Sequence, residues 1–377
     1  MKWAGRVPVA TIVVWAAIVV PATPAFAHGG DAPDGTNFRT LVTAVAPATT
    51  GMTVRAVEAG ARLELTNHSG RTIEVLGYQG EPYLEVRPDG VYENVYSPAT
   101  YLNATLTGNS AVPPFADPAQ PPSWRKASGT AVARWHDHRT HWMDAVAPPQ
   151  VSSDPGRTHR IRDWVVPLRD ETSTVEVRGT LDWIPPPVSW VWWGLTLLVA
   201  AALALLGLVW DRALPAIAGL AIAAGGTALV YAVARELDAG SHGAGAILLG
   251  LLRSQIWPVL TALATVVAGV YALLRRPASD LAVGLAGACL ALIAGLANVA
   301  VFSRSVVPVP WPPLWARLAT VLVLAGGAGL AVAAGLYLRA TTRTAVLALA
   351  TAPVEPAPVE RAPDDRGPLE RAPDDWA

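Results

Sequence analysis

The sequence predicts an exported all-β, sandwich-like domain followed by an α-helical transmembrane bundle of about five helices. Three observations support this fold class: a signal peptide at the start, short strand-like runs up to Pro187, and long apolar segments after it. Of the 377 residues, 52% are hydrophobic and only 15% are charged, a balance too apolar for an ordinary soluble enzyme. We therefore expect a multi-pass protein of the cell membrane.

Residues 1–27 have the features of a secretory signal peptide. The chain starts with a positively charged stretch, continues with an apolar run over 9–20, and reaches Ala25-Phe26-Ala27, which fits the small-x-small cleavage rule. Cleavage at this point makes His28 the first residue of the mature protein. The domain that follows is then expected on the extracytoplasmic side of the membrane.

Residues 28–187 form the predicted extracytoplasmic β-domain. Short alternating runs predict strands at 63–66, 72–76, 83–86, 131–135, 163–168 and 174–181. The turn residues 67–70 predict a hairpin between the first two strands, and the proline-rich stretch 112–123 predicts a loop. Because no comparable helical period occurs here, we expect a β-sandwich. The single cysteine, Cys289, lies in a later apolar segment, so the domain has no disulfide.

Residues 188–340 form the predicted transmembrane domain, because its apolar segments are long enough to cross a hydrocarbon core of about 30 Å. The five predicted crossings are 189–210, 213–234, 254–274, 281–302 and 316–338. The neighbouring stretch 243–252 is either a re-entrant piece or an extension of the third crossing. Five crossings after an exported domain place the tail, 341–377, in the cytoplasm, where its Pro-, Ala- and acid-rich composition predicts disorder.

An amino-terminal histidine is a candidate metal ligand with two donor atoms. A free α-amine has a pKa of roughly 7.7 to 8.0, so a metal ion can displace its proton near neutral pH, and the imidazole ring offers a second nitrogen. We therefore predict that His28 chelates a metal ion. The alternative is that His28 only follows the cleavage site and has no ligand role.

A second group of candidate ligands is concentrated in residues 136–143. A strand would place His136 and His138 on one face and His141 on the other, whereas a turn after His138 would let all three imidazoles converge. Met143 adds a thioether, which suits Cu(I). The alternative is a hydrogen-bonded histidine segment packed between tryptophans.

This order of parts resembles that of the CopC–CopD copper-resistance fusions, in which an exported β-domain precedes a multi-helix membrane domain. The resemblance covers the layout and the terminal His28. It implies extracytoplasmic copper binding with His28 as a ligand. The chain departs from that family because its exported domain is about 160 residues long and no histidine lies inside a predicted crossing, so copper transport through the membrane is not carried over.

The sequence therefore predicts a membrane protein whose β-domain binds copper or a similar metal for handling or delivery, without catalysis. Its partners are the metal ion and the lipid bilayer. No phosphate-binding glycine-rich loop, nucleophile elbow or zincin motif occurs, and a net charge of −1 with scattered basic residues excludes a nucleic-acid surface. The alternative is an envelope interaction or assembly protein, recognised by an exposed patch of Tyr78, Tyr83, Tyr92, Tyr96 and Tyr101.

Overall fold

The computed structural model describes residues 35–351, with side chains as far as residue 347. The predicted signal peptide, His28 and the tail beyond residue 351 lie outside this part of the chain. Within it, an antiparallel β-sheet domain precedes a helical region, as the sequence predicts.

The β-domain has two antiparallel sheets. The larger has seven strands in the order β1-β10-β9-β4-β5-β6-β7, and the smaller has three in the order β2-β3-β8. Their bounds are β1 Phe38–Ala46, β2 Met52–Val57, β3 Arg62–Asn67, β4 Ile73–Leu76, β5 Pro82–Arg87, β6 Gly90–Asn94, β7 Trp124–Ser128, β8 Val132–Trp135, β9 His159–Asp170 and β10 Ser173–Trp183. Two short helices, α1 (Pro98–Leu102) and α2 (Pro149–Ser153), lie in the connections.

The two sheets share one hydrophobic core, which agrees with the predicted sandwich. Leu63 and Leu65 of β3 are fully buried, and so are Ile73 and Val75 of β4 in the other sheet. Alternate residues of a strand point to the same face, so each pair marks the inner face of its sheet. Burial of these side chains between the sheets is the main force that holds the domain together.

The predicted hairpin over 63–76 is wrong, although both of its strands form. β3 pairs with β2 and β8, whereas β4 pairs with β5 and β9 in the other sheet. The buried Asn67 explains the crossing: its amide donates to the carbonyl oxygens of Arg71 and Val86, each over 2.7 Å. The turn therefore carries the chain from the smaller sheet to the larger one. β3 and β4 have a similar apolar pattern because both face the core that the two sheets share.

The helical region contains, among the described residues, four stretches long and apolar enough to cross a membrane. They are Ser189–Asp238, Ile256–Leu273, Ser279–Phe302 and Pro313–Leu347. The helices are α3 Ser189–Ala204, α4 Trp210–Asp238, α5 Ala244–Ser254, α6 Ile256–Leu273, α7 Ser279–Cys289 and α8 Pro313–Thr351. Residues 243–252 belong mostly to α5, which is a separate short helix.

The first stretch, Ser189–Asp238, folds back on itself. A straight helix of its 50 residues would be about 75 Å long, more than twice the hydrocarbon thickness. Trp192 in α3 stacks on Phe302, and Tyr231 in α4 packs in the same hydrophobic cluster. The chain reverses around a 3₁₀ turn that ends at Val209, so α3 and α4 run in opposite directions.

The β-domain is joined to the helical region by direct hydrogen bonds. The Ala59 amide donates to the Asp238 carboxylate over 2.8 Å, and Thr36 forms a β-bridge with Val306. Arg134 of β8 donates to the Gly240 carbonyl in the loop between α4 and α5. The carboxyl-terminal end of α4 is therefore fixed against the smaller sheet.

Candidate metal site

The predicted histidine cluster lies where β8 leaves its sheet. β8 ends at the buried Trp135, Asp137 has an extended backbone, and a 3₁₀ turn covers His138–Thr140. Asp137 caps the turn, because its carboxylate accepts from the Arg139 amide over 3.1 Å. The chain therefore turns within the cluster, and its three imidazoles have different surroundings.

His136 is buried with both ring nitrogens in hydrogen bonds. Its Nδ1 lies 2.7 Å from the Ala61 carbonyl oxygen, and the Nε of Arg62 donates to its Nε2 over 3.2 Å. A nitrogen that accepts has no proton, so the ring carries its proton on Nδ1. A metal ion at Nε2 would have to displace Arg62, and the ligand role predicted for His136 stays a prediction.

The ring of His138 is held by stacking and by one hydrogen bond. Its ring stacks on Tyr78 with centroids 6.0 Å apart, and its Nε2 lies 3.3 Å from the Thr105 carbonyl oxygen. Gly108 packs against the same ring, since a Cβ atom there would lie 3.2 Å from Nδ1. These contacts fix the ring, and its predicted ligand role likewise stays a prediction.

His141 differs from the other two histidines because its Nε2 is buried and has no hydrogen-bond partner among the described residues. Burial first, and then the neighbouring His136, lower the pKa of His141 to about 4. The ring is therefore neutral at physiological pH. The guanidinium of Arg162 donates to the His141 and His138 carbonyl oxygens and so holds the backbone of the turn.

His141 and Met143 line the same cavity, which has a volume of about 470 Å³. Met143 is 40% exposed, so its thioether is accessible. The carboxylate-bearing Glu58 and Asp144 also line the cavity, and Arg304 adds a positive charge that opposes a cation. Residues with imidazole, thioether and carboxylate side chains thus line one cavity, which is large enough to admit further ligands.

A complete metal site is not assembled within residues 35–347. No group of three or more His, Cys, Asp or Glu side chains there is arranged to hold a metal ion. The structure brings His141 and Met143 to one cavity and places His136 and His138 in hydrogen-bonded positions, while His28 lies outside the described residues. The additional ligands that a metal ion needs would have to come from elsewhere in the chain or from solvent.

Glu58 lines this cavity although no motif in the sequence points to it. Glu58, Ala59 and Gly60 all have a positive φ, of 55°, 54° and 89°, in a 3₁₀ turn between β2 and β3. A positive φ is uncommon for a residue with a side chain. Gly60 is the single sequence signal of this turn, and it does not show which cavity the turn lines.

The tyrosines of the alternative function do not form one exposed patch. Tyr83 is buried in the β-domain core, and the Tyr78 hydroxyl hydrogen bonds with the Asn103 side chain. Tyr92 is covered on one face by the Arg87 guanidinium, 3.9 Å from its ring centroid. The aromatic residues therefore mostly serve the local packing of the larger sheet and its loops.

No protein-family model matches the chain, and neither does any curated protein or solved structure. What the site does must therefore follow from the chemistry of its own residues.

Proposed function

We propose that the β-domain binds copper, or a similar metal ion that prefers imidazole, in the cavity lined by His141 and Met143. The protein holds the ion for handling or delivery and catalyses no reaction. The supporting observation is the buried Nε2 of His141, for which residues 35–347 offer no hydrogen-bond partner. A buried polar atom without a partner costs about 1–3 kcal/mol, and a coordinated metal ion would remove that cost.

The donor atoms favour copper among the common metals. A neutral imidazole binds Cu and Zn well, and a thioether adds a preference for Cu(I). The low pKa of His141 keeps its ring neutral, so no proton competes with the metal at physiological pH. Met143 supplies the soft sulfur, and the Asp144 carboxylate offsets part of the ion's charge, whereas the Glu58 carboxylate is already paired with Arg62.

His28 is within reach as the source of the remaining ligands. It precedes Gly35 by seven residues, a length of chain that spans at most about 25 Å, and Gly35 lines the cavity. After cleavage at Ala27 its α-amine and imidazole would add two nitrogen donors. Together with His141 and Met143 they would make a site of four donors.

For the membrane part we propose five crossings with the β-domain outside the cell. The reversal near Val209 divides the first apolar stretch into two crossings. An odd number of crossings places the β-domain and the carboxyl-terminal tail on opposite sides of the membrane. Arg212, Arg275 and Arg276 then lie on the cytoplasmic side, in agreement with the positive-inside rule.

The experiment is an equilibrium copper titration of the mature chain in detergent. We expect one ion per chain, and an affinity at least about tenfold weaker in the double variant His141→Gln/Met143→Leu. His159→Gln is the matched control, because that ring bonds to the Asp154 carbonyl oxygen and does not line the cavity. Equal affinities of the wild type and the double variant, or an equal loss in His159→Gln, would contradict this site.

A further inference from the structure

A second cavity, of about 660 Å³, lies between the outward face of the three-stranded sheet and the loop that follows α4. All three strands contribute polar side chains to it. The lining side chains include Thr53, Arg55, Glu64, Thr66, His68 and Arg134. Gly240, Ser241 and His242 close the cavity from the helical region, directly after the membrane-crossing stretch ends at Asp238.

Two arginines and one glutamate form a row across this sheet. Arg55 faces Glu64, and Glu64 faces Arg134, in the register of the paired strands. The buried Glu64 accepts from Arg55 over 2.7 Å and from Arg134 over 2.6 Å. Two positive charges against one negative charge leave the row with a net charge of +1. The row therefore keeps a positive charge although its carboxylate is paired, and the nearby Asp238 carboxylate accepts from the Ala59 amide.

The arginines keep donors for a ligand. A guanidinium has five N–H groups. Within the described part of the chain, Arg55 uses two of its nitrogens, towards Glu64 and the Nε2 of His242, and Arg134 uses two, towards Glu64 and the Gly240 carbonyl. Their side chains are 47% and 35% exposed, so the unused N–H groups are accessible. His242, which accepts from Arg55, presents its other ring nitrogen as a donor.

The helix next to this cavity is apolar and unburied. α5 begins at Ala244, its third residue Ala246 lines the cavity, and no side chain caps its amino terminus. No residue of α5 is buried, and Leu248, Leu249 and Leu252 are between 46% and 58% exposed. A cationic cavity thus adjoins an exposed apolar helix at the end of a membrane-crossing segment. A ligand with a charged end and an apolar end matches both.

We propose that this cavity binds the phosphate of an anionic phospholipid headgroup, with the acyl chains along α5. Arg55 and Arg134 hold the phosphate oxygens by charge-assisted hydrogen bonds, and His242 adds a donor from the loop. The site does not depend on the proposed metal function, because it lies on the outer face of the smaller sheet and shares no lining residue with the cavity of His141.

The test measures binding of three probes to the full mature chain in detergent, by native mass spectrometry. The probes are dioctanoylphosphatidylglycerol, dioctanoylphosphatidylcholine and inorganic phosphate. We expect the phosphatidylglycerol to bind about tenfold more tightly than the other two, because only it combines net negative charge with acyl chains.

The variant Arg55→Gln/Glu64→Gln/Arg134→Gln removes all three charges without leaving Glu64 unpaired, and we expect it to lose that preference. Arg157→Gln, an exposed residue of the β-domain that is 80% accessible and outside the cavity, is the control and should bind like the wild type. If the triple variant does not fold, His242→Ala changes one exposed loop side chain and should still weaken phosphatidylglycerol binding.

Phosphate binding as tight as phosphatidylglycerol binding would overturn the lipid assignment and leave a site for a free anion. Equal binding of the two lipids would overturn the role of the cationic row. The proposed location of the lipid site would be overturned if the folded triple variant bound phosphatidylglycerol as tightly as the wild type. The same result for His242→Ala, where it replaces the triple variant, would also overturn it.

Discussion

The buried carboxylate of Asp137 accepts two hydrogen bonds from the Arg139 guanidinium, one on each oxygen, over 2.8 and 2.7 Å. The same guanidinium donates to the Leu76 carbonyl oxygen over 3.1 Å, which ties the turn to β4 of the larger sheet. The indole of Trp135 donates to the second carboxylate oxygen over 3.1 Å. This pair therefore fixes the turn between His136 and His141, and with it the position of the candidate metal ligand.

Removing Arg139 should destabilise the protein strongly. Arg139→Met leaves the Asp137 carboxylate buried without its charge partner, and we expect a loss of about 3–5 kcal/mol in the free energy of unfolding. Arg178→Met is the matched control, because Arg178 pairs with Glu176 on the surface, where an ion pair contributes only about 0–1 kcal/mol. Denaturant unfolding of the β-domain, followed by tryptophan fluorescence of the full chain, measures both. Equal losses would contradict the structural role of Asp137.

His141 should make the stability depend on pH between 6.5 and 4. Its pKa falls from 6.5 to about 4 on folding, so in this window the unfolded chain binds a proton that the folded chain does not. The contribution of the neutral His141 to the free energy of unfolding is complete above pH 6.5, decreases as the pH falls, and levels off near pH 4. The shift corresponds to about 3 kcal/mol.

The variant His141→Gln isolates this contribution, because the carboxylates that also titrate in acid are the same in both proteins. We expect the unfolding free energy of the wild type to fall more steeply between pH 6.5 and 4.5 than that of the variant. Parallel curves for the two proteins would show that His141 titrates normally in the folded state.

The sequence predicted the strands of the β-domain better than their pairing. Alternation of apolar residues identified β3 and β4, because each buries one face. It did not show that they belong to different sheets, since that depends on Asn67, whose amide bonds to Val86 nineteen residues away. In the membrane part, hydropathy located the apolar segments, but the separation of α5 from α6 at Gln255 is a backbone feature that hydropathy does not report.

Close helix packing in the membrane part should depend on Gly327. A Cβ atom at Gly327 would lie 2.6 Å from the Gly287 carbonyl oxygen, whereas one at Gly335 in the same helix would meet nothing within 4 Å. We expect Gly327→Ala to cost about 1–3 kcal/mol through overpacking, and Gly335→Ala to be neutral or slightly stabilising. Thermal unfolding in detergent compares the two. A similar effect of both substitutions would contradict the interface.

The histidine cluster shows where sequence reasoning about the site reached its limit. Three histidines within six residues marked the segment as unusual. Their individual states depend on partners distant in sequence: Ala61 and Arg62 engage His136, and Thr105 engages His138. Such pairings follow from tertiary contacts, so the spacing of the motif could not distinguish His141 from its neighbours.

The central claim, a metal site to which His28 and His141 both contribute, is tested most directly by one titration. Copper binding is measured for the mature chain that begins at His28, and for the same chain with one extra residue before it, which blocks the His28 amine as a terminal ligand. We predict tight binding of one ion by the first protein and binding at least about tenfold weaker by the second. Weak binding that is the same in both proteins would contradict the claim.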